Sequence, residues 1–161
     1  MSIGERLAHG VNRMYDRMRD PLAFRIGAED ATAWDFDGVR RSKYALLVTF
    51  RRSGEPVPSP VWCAVDTAGR AYVQTEAATG KVRRIRNDPR VLLAPSTIRG
   101  RPRGAAAAGT ARLLPVEEWP HAEATMAAAY GLGRRLYMRV FPMSDQRGTY
   151  IEISPAPAQA S

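Results

Sequence analysis

The chain has 161 residues, 45% of them hydrophobic, a formal net charge of +8 and one cysteine. That is one domain of ordinary size with enough apolar residues for its own core, and no apolar run approaches the roughly 20 residues of a membrane-crossing helix. Cys63 alone excludes an intramolecular disulfide and any multi-cysteine zinc or iron–sulfur site, and a reduced, cytoplasmic setting is expected. The N-terminus opens with Ser2-Ile3-Gly4-Glu5, the spacing of a helix capping box. Ile3, Leu7, Val11, Met14 and Met18 then recur at helical spacing up to Asp20-Pro21, a packing face with no apolar h-region, so no secretory signal is expected. Leu22 to Ser42 is irregular and is expected to cover the domain beside a dimer partner; with the first helix it forms a leader over 1–42.

Strand patterns follow. Tyr44 to Phe50 is β-branched and apolar, Val57 to Val65 alternates around two prolines, and Ala71 to Thr75 resumes after the turn Asp66-Thr67-Ala68-Gly69. The three read as a β-meander. Thr79 to Asn87 is a basic helix with Val82 and Ile85 on one face, stopped by Asp88-Pro89. Arg90 to Thr97 is a strand leading into the arginine-rich loop Ile98 to Gly104. Ala105 to Leu114 has alanines that favour helix, yet it alternates between turns and reads as a strand with small residues where backbones pack closely. Glu117 to Tyr130 is a helix with Gly131 as its left-handed cap, and Leu132 to Met143 is a second short helix or turn. Gly148 to Ser154 closes the strands, with Ile151 and Ile153 on one face. The barrel-forming part is thus expected over 43–154, with a frayed Pro/Ala tail over 155–161.

The charge is local. From Lys81 to Arg103 there are eight cations (Lys81, Arg83, Arg84, Arg86, Arg90, Arg99, Arg101, Arg103) against the single anion Asp88. A field gathered on one helix start and one loop suits a compact polyanionic ligand, although a charged helix face is most often simply solvated. Lys81 is one of only two lysines among 24 cations. In the first turn of a helix it is a flexible point charge beside free backbone N–H groups. Catalytic constellations are otherwise missing: His9 and His121 read as helix-surface residues, Cys63 as a buried thiol, and Gly131-Leu132-Gly133 as a cap rather than a dinucleotide fingerprint. Chemistry would have to come from a bound cofactor.

Three segments carry a family resemblance: LLVTFRRSGEPVPSPVWCAVD at 46–66, TEAATGKVRRIRNDPRVLLAPS at 75–96 and RGRPRG at 99–104. In order and spacing they resemble the flavin- and deazaflavin-dependent oxidoreductases of the pyridoxamine 5′-phosphate oxidase-like superfamily, and within it the B-type branch that uses coenzyme F420. The resemblance implies a mainly β, α+β domain: a Greek-key split β-barrel of six or seven antiparallel strands with flanking helices, paired into a homodimer with cofactor clefts at the subunit interface. F420 is a deazaflavin hydride carrier with a phospholactyl-oligoglutamate tail. By that likeness Pro60, Val61 and Trp62 lie along the ring. Thr75, Thr79 and Gly80 close around the ribityl-phosphate, Lys81 takes the phosphate, Arg84, Arg99 and Arg101 meet phosphate or carboxylates, and Ser96 and Thr97 lie on the strand beneath. Tyr137, Arg139 and Ser59 are proton-donor candidates only by residue type.

The implied function is reduction of a small electrophilic acceptor, such as a conjugated C=C, a quinone or a tetrapyrrole bridge, by reduced F420. Two other readings stand beside it: an FMN-binding oxidoreductase on the same barrel, or a non-catalytic binder of F420 or another small anion. Nucleic-acid binding is the weakest, since the basic stretch has no interleaved aromatics and no helix-turn-helix pattern.

Overall fold

The computed structural model describes residues 18–140 and 148–157. The capping box at Ser2, the apolar stripe up to Met14, His9, the stretch 141–147 and the last four residues lie outside them, and so do the side chains of Tyr137 and Arg139. Seven strands form one antiparallel sheet: β1 Tyr44–Phe50, β2 Pro56–Val61, β3 Cys63–Val65, β4 Ala71–Glu76, β5 Arg90–Ser96, β6 Ala107–Leu113 and β7 Gly148–Pro155. Their spatial order is β2-β1-β5-β6-β7-β4-β3. Among the described residues three α-helices flank the sheet: α1 Asp37–Arg40, α2 Gly80–Asn87 and α3 Trp119–Val140, the last bent where Gly131 takes φ 52°. Short 3₁₀ turns at Pro21–Arg25 and Ala28–Asp30, with α1, give the covering segment what regularity it has.

The order explains the shape. β2 and β3 are the two edges of the sheet, yet only Trp62 separates them in the chain. A single connecting residue reaches no more than about 7 Å between its neighbours' Cα atoms, so the edges must approach and the sheet must curl. This is a split β-barrel.

The expected single strand from Val57 to Val65, and with it the β-meander, is corrected: β2 pairs only with β1, and β3 only with β4. Two features cause the break. Pro56, Pro58 and Pro60 face Phe50, Val48 and Leu46 in alternate register. Because the hairpin closes on the Arg51 N–H to Glu55 carbonyl bond, these prolines fall at the non-bonded positions, and their missing N–H groups leave the outer edge without donors there. Beyond Trp62 the backbone bonds to a side chain instead of a strand. The Tyr130 hydroxyl accepts from the Cys63 N–H at 2.7 Å and lies 2.7 Å from the Cys63 carbonyl and 2.9 Å from that of Lys43, while its ring stacks on Trp62 at 5.4 Å.

Three hairpin tips share one geometry. In Arg51–Glu55, Asp66–Arg70 and Thr97–Arg101 the fourth residue is a glycine with φ between 83° and 86°, and its N–H donates to the carbonyl three residues back. That is a type I turn with a glycine bulge, which only a left-handed residue closes without strain.

The strands are buried on both faces, which is why their hydrophobic pattern alternates so weakly. Ala45, Leu47, Val73, Val91, Leu93, Ile151 and Ile153 point into the barrel with Val82 and Ile85 of α2. On the outside, Ala23 and Ile26 cover Leu46, Val48 and Leu92, while Ala122 and Met126 of α3 cover Tyr72 and Tyr150. Each large side chain so placed contributes roughly 1.5–3 kcal/mol. The alanine run does form a strand, and Gly109 shows why small residues sit there: a Cβ on it would lie 2.8 Å from the Ser154 carbonyl oxygen and 3.1 Å from Phe36.

Candidate functional site

The basic helix begins as an anion site would. Thr79, its N-cap, turns its hydroxyl back to the Glu76 carbonyl at 2.9 Å and gives no side-chain cap to the first turn. The helix dipole and first-turn donors are therefore not satisfied by that side chain. Lys81 Nζ lies 3.0 Å from the hydroxyl of buried Thr75 on β4. Burial, then the Arg84 charge, push the ammonium from its ordinary value of 10.5 down to about 8. Arg84 curls back over Gly80, so that a Cβ there would meet its Nη1 at 2.8 Å, and its Nε donates to the buried Thr49 hydroxyl at 2.7 Å. Thr75, Gly80, Lys81 and Arg84 are thus together, joined by Thr49, which sequence reasoning had passed over. A desolvated ammonium beside a guanidinium at a helix N-terminus is a place that an anionic oxygen stabilises.

The remaining expected residues lie at the other end of β1. Tyr44 pairs with Ser96 and Leu46 with Pro60, whereas Thr49, the partner of Arg84, is five residues beyond Tyr44 and three beyond Leu46. At about 3.3 Å per residue that is about 16 Å from Ser96 and about 10 Å from Pro60. Here Thr97 closes the Arg-rich hairpin, its Oγ1 accepting from the Arg101 N–H at 3.1 Å. Gly100 packs against Pro60 and Leu46. Arg99 Nε donates to the Met18 carbonyl at 2.8 Å, so this arginine holds the covering segment. Val61 faces the barrel interior, Trp62 stacks on Tyr130, and Ser59 is 8% exposed in β2.

Two features were invisible in the sequence. One is a polar rung across three strands: Tyr72, Glu152 and Arg112 are register partners. The Tyr72 hydroxyl lies 3.0 Å from Glu152 and 3.2 Å from Asp66, Arg112 Nε donates to Glu152 at 2.8 Å, and Arg112 also pairs with Glu118. His121, at the start of α3, is exposed on the helix surface as expected, and its Nε2 is also 3.1 Å from Asp66. The other is a pair of cavities, of about 870 Å³ between the 33–44 segment and the β5–β6 hairpin, and about 550 Å³ between β3 and α3. Ser96 and Thr97 line the first. Burial pushes the Cys63 thiol up to about 12, so it is an inert core group. Among the described residues no helix is long and apolar enough to cross a membrane, and no group of three or more His, Cys, Asp or Glu is placed to hold a metal ion.

The sequence family described as pyridoxamine 5′-phosphate oxidase matches residues 36–156. The chain belongs to that family. No curated protein sequence matches it. Among solved structures it is similar to an F420 reductase (17% identity, 78% of this chain and 96% of that one covered, TM-score 0.53) and to a FAD-binding protein from Mesorhizobium loti (13%, 73% and 82%, 0.53). It is also similar to HutZ, the heme storage protein from Vibrio cholerae (15%, 73% and 84%, 0.56). At these identities the likeness is one of fold, and the names of those three proteins point to F420, FAD and heme in turn. The choice among them rests on the residues.

Proposed function

We propose that this protein is a reductase that uses reduced F420, with the cofactor's phosphate held at the start of α2. The observation that carries the reading is the Lys81–Thr75 and Arg84–Thr49 pairing around Gly80: two cations fixed by buried hydroxyls at a helix end without a side-chain cap. Lys81 and Arg84 bind and orient the anionic part. Pro60 and Trp62, with the backbone of Val61 between them, would line the ring, with Thr79 closing over the ribityl chain and Ser96 and Thr97 lying beneath. Arg101, in the exposed hairpin, would meet tail carboxylates, and Arg99 would do so beside the covering segment it holds. When bound, the deazaflavin supplies a hydride from its C5 to a small electrophilic acceptor. The chain's part is to hold the two reactants in register. A homodimer would complete the cleft, as the family resemblance implies.

FMN is the second reading, favoured by the same site, since a phosphate beside Lys81 does not distinguish the two ligands. Arg99 and Arg101, beyond Lys81 and Arg84, favour the longer, more anionic tail. Titration of the purified protein with oxidised F420 and with FMN, at low and moderate salt, separates them. F420 binding that is tighter and more salt-dependent than FMN binding, followed by oxidation of the reduced form by an acceptor, supports the reading. FMN preference moves the chemistry to a flavin, and F420 binding without turnover on any acceptor makes the protein a carrier.

A further inference from the structure

The larger cavity, about 870 Å³, gathers three cations from two separate stretches of chain: Arg41 and Lys43 before β1, and Arg103 beyond the hairpin tip. Among the described residues none of these three side chains forms an ion pair or hydrogen bond. The one acid in the lining, Asp35, is engaged, its Oδ1 accepting from the Asp37 N–H at 2.9 Å. With Asp35 counted, the lining carries a net charge of +2, and an anion placed among the three cations offsets their mutual repulsion.

The frame is set before any ligand arrives. Ser42 Oγ lies 2.8 Å from the Tyr44 carbonyl and 3.3 Å from that of Ser96, which ties the cationic segment to the end of β5. The Lys43 carbonyl accepts from Tyr130, and the Arg103 N–H donates to the Pro95 carbonyl at 2.8 Å. Thr97 Oγ1 accepts from a backbone N–H, leaving its own proton to donate. Val39, Pro95 and Ile98 supply apolar walls, and the volume lies within the roughly 300–1,000 Å³ of small-molecule sites.

We propose that this cavity is a second binding site, taking a small organic acid with an apolar body whose anionic group is held by Arg41, Lys43 and Arg103. As the class of acceptor for the reductase the inference rests on that reading; as a binding site it does not. The site is set apart from Lys81 by the length of β1, so the two respond to different substitutions.

The test is calorimetric titration of the full chain, without cofactor, with 1-naphthoate and with neutral 1-naphthamide. Naphthoate is expected to bind, with the amide weaker by about tenfold or more, the loss of a charge-assisted contact. Arg103→Gln and Arg41→Gln each weaken naphthoate by a similar factor while Lys81→Ala leaves it within about twofold. Arg103→Gln, whose backbone bond is unaffected, keeps the wild-type melting temperature and F420 affinity. Naphthoate binding with no F420 binding still supports the site while removing the reductase reading. Absence of naphthoate binding, equal binding by Arg103→Gln, or a parallel loss of F420 affinity in that variant overturns the proposal.

Discussion

The Lys81 ammonium and the Thr75 hydroxyl, 3.0 Å apart, join the first turn of α2 to the end of β4, and that ammonium is held near 8 instead of its ordinary 10.5. Burial, its first cause, penalises the charged form. Between those two values the unfolded chain keeps a proton that the folded chain has released, so stability without ligand rises with pH across that window. Anion binding has the opposite sign: it needs the proton and weakens as pH passes about 8. Lys81→Met should therefore raise the melting temperature of the ligand-free protein at pH 7 and lower F420 affinity. Arg83→Ala, on the exposed side of α2, should change affinity by no more than about twofold. A Lys81→Met protein that melts below wild type, or Arg83→Ala matching Lys81→Ala in affinity, contradicts this assignment.

Gly109→Ala should destabilise the barrel by about 1–3 kcal/mol, the usual cost of overpacking. The added carbon meets the Ser154 backbone oxygen at 2.8 Å, where β7 cannot retreat without breaking its ladder to β6. Urea unfolding measures it, and an unchanged midpoint would show that β6 and β7 do not approach in this way.

Asp66 should set part of the acid sensitivity. Burial alone would raise its carboxyl, but hydrogen bonds from His121, Arg70 and Tyr72 and the Arg70 charge overcome that and lower it from 3.8 to about 2. The folded value is depressed, so the stabilisation is complete above the unfolded value and is lost as pH falls toward 2. It amounts to about 2 kcal/mol. Asp66→Asn should cost about that much at pH 7 and far less at pH 2.5, read from denaturant curves at the two values. A penalty independent of pH would remove Asp66 from this role.

Tyr130→Phe should loosen the junction between β2 and β3, because the Cys63 N–H and carbonyl lose their shared partner. Cys63 is 3% exposed in the wild type and should react with Ellman's reagent only on unfolding. In Tyr130→Phe its labelling under native conditions should speed up by about tenfold, which corresponds to about 1.4 kcal/mol of easier opening. Equal labelling rates would place the stability of that junction elsewhere.

What the sequence made legible was mostly local. The turn ending in Gly69 forms as expected, the Val82/Ile85 spacing marks the buried face of α2, and Asp88-Pro89 ends it. The candidate anion site was largely legible, since Thr75, Gly80, Lys81 and Arg84 were all expected there, whereas Thr49, 35 residues before Arg84, reaches it only through the fold. The break at Trp62 was hidden because its cause, Tyr130, lies 67 residues away. The Tyr72–Glu152–Arg112 rung was hidden likewise, as only the registers of β4, β7 and β6 bring the three together.

In the proposed function Lys81 and Arg84 hold the phosphate of a deazaflavin. The most direct test compares the affinity for F420 with that for the same deazaflavin lacking the phosphate and tail, in wild type and in Lys81→Ala. Wild type should prefer the phosphorylated form by about tenfold or more, as for a charge-assisted contact, and the preference should collapse in the variant. An equal preference in both proteins would mean that the phosphate, if bound at all, is bound elsewhere.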